Sequence, residues 1–160
     1  MRTLVAYYSL GGTTKKLANL LANKLGADVD PIYCAEYGSG VMSFLKACYD
    51  SVMGKLPTVI GTSKAIENYD LVLVGGPIWA GHIATPVRAY LKQRKGQFAN
   101  VAYFVTYGGS NIERALAELA EIGGQTPQAT LALRTADVVT GTLDQATASF
   151  VRDLAVKKAA

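Results

Sequence analysis

TLVAYYSLGGTTK, residues 3–15, decides the fold of this chain. It begins with a continuous apolar run, which is the pattern of a strand covered on both faces of a sheet. A turn with two glycines and several hydroxyl side chains follows directly, and leucines at helical spacing begin at Leu17. A buried strand, a tight turn and a helix in this order are typical of a parallel α/β sheet.

The same alternation continues along the chain. Continuous apolar runs at 71–74 and 101–106 have the pattern of buried strands, and weaker runs lie at 28–33 and 129–134. Apolar stripes at helical spacing separate them: Leu17, Leu20, Leu21 and Leu25; Ile112, Ala115, Leu116 and Leu119; Ala146, Phe150 and Leu154. With right-handed crossovers, this alternation predicts one α/β domain over residues 1–160 with a doubly wound, five-stranded parallel sheet, which we expect in the order 2-1-3-4-5.

Short motifs predict where three of the helices begin. Ser110 with Glu113, and Thr142 with Gln145, match the capping box, in which two side chains satisfy amides of the first helical turn. The pair Thr85-Pro86 matches an N-cap residue followed by proline at the first helical position.

The composition is that of an ordinary globular domain. Half of the 160 residues are apolar, in runs far shorter than the roughly 18 residues of a membrane span. Residues 1–8 lack the pattern of a secretory signal, so we expect a cytoplasmic protein without a membrane span. The net charge of +4 is scattered, which gives no support for nucleic-acid binding.

The two cysteines, Cys34 and Cys48, form neither a CxxC pair nor part of a zinc motif. We expect free, buried thiols rather than a disulfide between them, and no metal site.

Three loops follow the predicted central strands and would meet at one edge of the sheet, where doubly wound folds bind ligands. The first is Ser9-Leu10-Gly11-Gly12-Thr13-Thr14. Its glycines allow a ligand close to the backbone, while hydroxyls and the amides of a helix N-terminus point to the same place, as in an anion site. It matches neither GxxxxGK[ST] nor GxGxxG, which argues against a P-loop NTPase and the common dinucleotide fingerprint.

The second loop begins at Gly75-Gly76 and ends at Thr85-Pro86, and its central part, Pro77-Ile78-Trp79-Ala80-Gly81-His82, holds the only tryptophan and the only histidine. The third is Thr106-Tyr107-Gly108-Gly109, where glycines again follow an aromatic residue. Trp79 could wall a flat ligand or anchor the core. His82 could cap a helix, face solvent, or lie beside a ligand as a hydrogen-bond donor or proton relay.

Taken in order, these loops resemble those of the flavodoxin family. Ser9, Gly12 and Thr14 match the phosphate turn [ST]-x-[ST]-G-x-T, and the second loop resembles the family pattern G-x-P-x-W/Y. Gly11 departs from the pattern, since the family usually has a hydroxyl residue there. The resemblance implies a flavodoxin-like three-layer α/β/α sandwich that binds FMN, with Trp79 and Tyr107 on either side of the ring and glycines at its pyrimidine end.

The resemblance also implies redox function, because the flavin performs electron or hydride transfer. Flavodoxins that carry electrons are typically acidic around the cofactor, whereas this chain is net basic, which counts against a carrier of the usual type. The chain equally resembles the flavodoxin-like FMN-dependent NAD(P)H (quinone) oxidoreductases, although those tend to be longer, so we favour an FMN protein of oxidoreductase type with its substrate unassigned. A redox partner protein or an NAD(P)H- or quinone-type molecule would be the partner. An electron carrier with a non-acidic surface, or a binding module without flavin, remains the alternative. The first strand ends without aspartate, which argues against a phosphoacceptor receiver.

The segment 39–62 has no clear counterpart in that family. Within 39–55, an apolar stripe of Val41, Phe44, Leu45, Cys48 and Val52 is too apolar for a solvated helix. We expect it to be a connection buried over the domain; the alternatives are a homodimer contact or part of a cover over the cofactor.

Overall fold

The computed structural model describes residues 1–60, 64–109 and 111–159, and a sheet runs through the middle of this part of the chain. Its strands are β1 (Thr3–Tyr7), β2 (Asp28–Pro31), β3 (Leu71–Trp79), β4 (His82–Ile83), β5 (Val101–Tyr107) and β6 (Thr130–Arg134). The helices are α1 (Thr13–Leu25), α2 (Val41–Val52), α3 (Thr85–Gln93), α4 (Ile112–Gly123), α5 (Thr135–Thr140) and α6 (Asp144–Ala159), with a 3₁₀ turn at Ile66–Asn68.

The strand order is β2-β1-β3-β5-β6, with neighbouring strands parallel. Numbered among the parallel strands alone, this is 2-1-3-4-5, so the predicted topology is confirmed. The short strand β4 is an addition that pairs antiparallel with the end of β3. In the register, Tyr7 lies opposite Gly75 and Pro77 lies opposite Thr106, which brings the loops after β1, β3 and β5 to one edge.

The sheet is covered on both faces, as the continuous apolar runs predict. In β1, Leu4 and Ala6 belong to one apolar cluster, whereas Val5 and Tyr7 belong to another. The first cluster includes residues of α2, α3 and α4, and the second includes residues of α1, α5 and α6. The chain therefore folds as the expected three-layer α/β/α sandwich.

The predicted helix starts are less accurate than the topology. Thr85 is the first residue of α3 rather than its N-cap, which is Ala84, and its hydroxyl donates to Tyr37 Oη at 2.9 Å. Thr142 lies two residues before α6 and has its hydroxyl 3.3 Å from that of Thr140. Both predicted caps are wrong, because the carbonyls of Ala84 and Leu143 accept the first backbone hydrogen bonds of these two helices. Ser110 lies outside the described residues.

Helix α2 contradicts the expectation of a buried connection. Its buried residues are Ala47, Asp50 and Ser51, whereas most of the predicted apolar stripe is exposed. The prediction was wrong because the side of the helix that faces the domain is held by polar contacts, described below.

Cys34 is buried, Cys48 is half-buried, and both are free thiols. Among the described helices, none combines the length and the apolar character that crossing a membrane needs.

Two glycines in β3 allow close packing on both faces of the sheet. A Cβ atom at Gly75 would lie 2.4 Å from the ring of Phe104, and one at Gly76 would lie 2.4 Å from Val87 Cγ2. These distances are far below van der Waals contact, so the glycines make room for a neighbouring strand and for α3.

We expect Gly75→Ala to lower the free energy of unfolding by about 1–3 kcal/mol, because the methyl group overpacks the Phe104 ring. Urea denaturation measures this. The control is Gly38→Ala, where an added Cβ meets nothing within 4 Å. Equal stability of the two variants would show that the Phe104 ring moves aside for the added methyl group without a loss of folding free energy.

Candidate cofactor site

A cavity of about 360 Å³ lies at the edge of the sheet where the three loops meet. Its size is within the range of pockets that hold small molecules and cofactors. Eight of its lining residues were predicted from the sequence: Ser9, Leu10, Gly11, Thr13, Thr14, Pro77, Trp79 and Thr106. Four were not: Ser39, Gly40, Phe44 and Thr135. The structure thus joins the phosphate-type turn and the tryptophan in one cavity.

The turn after β1 leaves hydrogen-bond donors available to a ligand. Gly12 has φ +87°, a left-handed conformation that favours glycine, and its N–H donates to Ser9 Oγ at 3.1 Å. Ser9 accepts this bond through its hydroxyl oxygen, so its hydroxyl proton is available for donation to a ligand. Helix α1 begins at Thr13 with no acidic residue in its first turn, so the positive end of its dipole is not offset there. A Cβ at Gly11 or Gly12 would meet nothing within 4 Å, which leaves the backbone open to close approach.

A pair of buried hydroxyls joins the first turn of α1 to the end of β5. Thr14 Oγ1 lies 2.8 Å from Thr106 Oγ1, and both residues line the cavity. Two hydroxyls hold two protons, and their mutual hydrogen bond uses one. The second proton is available to an acceptor in the cavity, such as a phosphate oxygen.

Trp79 is at once a core residue and a wall of the cavity. It is 3% exposed and meets Tyr8 and Tyr37 edge-on, with ring centroids 5.6 and 5.5 Å apart. Burial raises the pKa of the Tyr8 hydroxyl, with further increases from Cys34 and Tyr37, and burial also raises the pKa of the Cys34 thiol. These groups stay neutral near pH 7, so the layer behind Trp79 carries no charge from them.

His82 does not line this cavity. Its Nδ1 pairs with Glu118 Oε1 of α4, and the other oxygen of Glu118 accepts from Ile83 N at 3.1 Å and from Arg88 at 3.4 Å. The histidine therefore ties the β3–β4 hairpin to α4. Sequence reasoning missed Glu118, because nothing in the local pattern pairs residues 36 positions apart.

The remaining predicted residues lie beside the cavity rather than in it. Ile78, Ala80, Gly81 and Gly109 line a second hollow of about 260 Å³ together with Asn111. Ala80 has φ +50°, an uncommon conformation for a residue with a side chain, at the tip of the hairpin. Gly12 lies on the other side of the phosphate-type turn, where it lines a further hollow. Tyr107 and Gly108 line none of these three spaces. In the first cavity the second aromatic lining residue, beside Trp79, is Phe44 of α2.

Phe44 belongs to the segment for which a cover over the cofactor was one of the alternatives. Its ring lines the cavity from α2, and Ser39 and Gly40 line it from the residues just before that helix. The apolar stripe was the signal in the sequence, but the spacing alone does not indicate which of its members meets the cavity.

A buried carboxylate links α2 to the residues just before and just after it. Asp50 accepts from Lys46 Nζ at 2.9 Å and from Tyr37 Oη at 3.1 Å, and Lys55 Nζ lies 3.0 Å from its other oxygen. The hydrogen bond from Lys46, followed by those from Lys55 and Tyr37, lowers the pKa of Asp50 to about 2 against the effect of burial. The carboxylate thus joins α2 to the residues on either side of it, and through Tyr37 to the aromatic layer behind Trp79.

Comparison with known proteins gives consistent results. Residues 2–147 match a family model described as Flavodoxin. The structure is similar to that of a flavoprotein in complex with FMN from Lactobacillus acidophilus NCFM, with 26% identity, a TM-score of 0.72, and coverage of 87% of this chain and 97% of the other. It is also similar to a protein from Bacteroides uniformis, with 27% identity, a TM-score of 0.70, and coverage of 86% and 94%. No curated protein sequence matches significantly.

We expect Asp50→Asn to lower the free energy of unfolding at pH 7 by about 1–3 kcal/mol, because the ion pairs of Lys46 and Lys55 are lost. The folded-state pKa lies below the ordinary value of 3.8, so the wild type has this stabilisation above about pH 4 and loses it as the pH falls toward 2. The variant should therefore lose less stability over that interval.

Urea denaturation between pH 7 and pH 2 tests this expectation. Asp153→Asn in α6 is the control, since that residue is exposed. An Asp50→Asn variant with the wild-type acid profile would contradict the role of the network.

Proposed function

Since this chain belongs to the flavodoxin family, as the match over residues 2–147 shows, we propose that it binds FMN in the 360 Å³ cavity and uses it for electron or hydride transfer. The observation that carries the proposal is the convergence of the hydroxyl-rich turn and Trp79 on one cavity. An FMN complex of a relative that is 26% identical supports FMN as the cofactor, in agreement with the prediction from the loops.

The residues present fit such a group. The phosphate would be held by hydroxyls and by the free amides of the first turn of α1; the hydroxyls are those of Ser9, Thr13 and Thr14. The first turn of α1 has no acidic residue that would repel it. Trp79 and Phe44 offer apolar, aromatic walls for the ring system. At Gly11 the loss of a hydroxyl is offset by an open backbone that a phosphate can approach closely.

The loops at 80–82 and 107–109 are proposed to meet the pyrimidine end of the ring, as the family resemblance implies. Because Tyr107 does not line the cavity, its part as the second wall of the ring remains a prediction, and Phe44 is the alternative that the structure offers. His82, held by Glu118, would act by fixing the hairpin rather than by touching the ring.

Bound FMN would supply one- and two-electron redox chemistry, and the protein would tune it through stacking, hydrogen bonds and nearby charge. The neutral layer of Tyr8, Tyr37 and Trp79 excludes water from one side of the site. None of the described residues that line the cavity is acidic, and the chain has a net charge of +4. Both features favour an NAD(P)H-dependent oxidoreductase with a small acceptor of the quinone type over a carrier that docks on basic partners.

Titration of the purified protein with FMN, followed by rapid mixing with NADH or NADPH and then with a quinone, tests the proposal. We expect saturable FMN binding, bleaching of the flavin absorbance by one nicotinamide, and recovery on addition of quinone. Failure to take up FMN would leave a binding module without flavin. Uptake without reduction by either nicotinamide would indicate an electron carrier.

We expect Thr14→Val to weaken FMN binding by about 1.5–3 kcal/mol, because a hydroxyl beside the phosphate is lost. Riboflavin, which has no phosphate, should bind almost as it does to the wild type. Fluorescence titration with both ligands measures the difference.

The control is Thr130→Val, a change of the same kind at an exposed position in β6. Thermal denaturation of the proteins without flavin checks that the loss of the Thr106 partner has not unfolded the variant. Equal weakening for FMN and riboflavin would exclude Thr14 as part of a phosphate site.

A further inference from the structure

Helix α2 turns its polar side toward the domain. Ala47, Asp50 and Ser51 are its buried residues. Asp50 holds the network with Lys46, Lys55 and Tyr37, and the carbonyl of Ser51 accepts from Arg88 Nη1 at 3.1 Å. The helix is therefore attached to the domain by the hydrogen bonds of Tyr37 and Arg88 and by the packing of Ala47 and Cys48 on the core.

The opposite side of the helix is apolar and exposed. We call it the α2 face; it consists of Val41, Met42, Leu45, Tyr49, Val52 and Met53. Each of these residues is between 56% and 78% exposed. At about 100° per residue, Val41, Met42, Leu45, Tyr49 and Val52 lie within one stripe about 100° wide, centred roughly opposite Ala47 and Asp50. This is the reverse of the usual surface helix, whose apolar stripe faces the core.

The area of the α2 face corresponds to that of a stable contact. Large aromatic side chains cover about 150–250 Å² each when buried and large aliphatic ones somewhat less, so a side chain that is half exposed or more presents on the order of 100 Å². With the neighbouring Phe44 and Leu56, which are 45% and 43% exposed, the surface approaches the ~800 Å² that one partner contributes to a standard interface. Isolated apolar patches on monomers are usually smaller.

The charge pattern indicates which partner fits. The α2 face has no charged residue, and the charged residues of α2, Lys46 and Asp50, bond to each other at its flank. Across a two-fold axis each residue near the axis meets its own copy, so a charge there would repel itself. A stripe of neutral side chains avoids this repulsion, and the ammonium of Lys55, which lies 5.4 Å from the centroid of the Tyr49 ring, is paired with Asp50. A helix that lies on a membrane would instead present free lysines, whereas Lys46 and Lys55 both pair with Asp50.

We propose that the α2 face is a homodimer interface, in which a second copy of this chain packs its own α2 face on it. The contact begins beside the cavity, because Phe44 lines the cavity and directly precedes Leu45 in the helix. No residue of the α2 face lines the cavity, and the test uses the flavin-free protein, so its outcome is independent of the proposed function.

Sedimentation velocity of the flavin-free protein over a dilution series tests the proposal. We expect a species of twice the mass of one chain. Leu45→Lys and Val52→Lys should each raise the dimer dissociation constant on the order of 100-fold or more, since two lysines, one from each copy, become buried together. Both positions are exposed in the single chain, so the variants keep their fold, and Lys in the last turn suits the helix dipole.

Val156→Lys in α6 is the matched control, because it makes the same change at a residue that is 69% exposed in a helix on the other side of the sheet. It should leave the dimer unchanged. A wild type that stays monomeric throughout the series, or a dimer that withstands both Leu45→Lys and Val52→Lys, would overturn the proposal. The proposal would also be overturned if the protein were a monomer that cosediments with vesicles of phosphatidylcholine and phosphatidylglycerol and lost this binding in Leu45→Lys and Val52→Lys. That outcome would assign the α2 face to a lipid surface.

Discussion

Strand β3 lies at the centre of the sheet, so it must be paired along both edges and covered on both faces. The rest of the structure depends on this pairing and packing. Its parallel partners are β1 and β5, and Gly75 and Gly76 leave room for Phe104 and Val87. Beyond Gly75, where its pairing with β1 ends, the strand continues to Trp79 and turns back into β4. One strand therefore fixes the centre of the core and the tryptophan wall of the cavity.

The features that could be predicted from the sequence are those with local causes. A strand buried on both faces needs a continuous apolar run, and a sharp turn from a strand into a helix favours glycine, as at Gly12 before Thr13. These requirements are visible within a dozen residues. They were sufficient to predict a parallel sheet and eight of the residues that line the cavity, whereas the strand order, which is confirmed, was expected from the usual pattern of doubly wound folds.

The features that were missed arise from contacts between distant parts of the chain. His82 pairs with Glu118, and Thr14 meets Thr106 across 92 positions; local spacing encodes neither contact. The error at α2 has a different cause. Helical periodicity shows that apolar residues share a side, but whether that side faces the core depends on what the other side can bond to. On this side Asp50 accepts a hydrogen bond from Tyr37 and the carbonyl of Ser51 accepts one from Arg88 of α3, so polar groups face the domain.

The way α2 is attached also places the residues that stabilise the fold and the residues available to other molecules on opposite sides of the helix. Residues that keep the helix in place, such as Asp50 and Ser51, lie on one side of it, and residues that neighbouring molecules can touch lie on the other. Changes on the outer side can accumulate without weakening the core, because little of the energy of folding resides there. A domain built in this way can gain, lose or exchange associations over evolutionary time while its ligand cavity and its sheet remain intact.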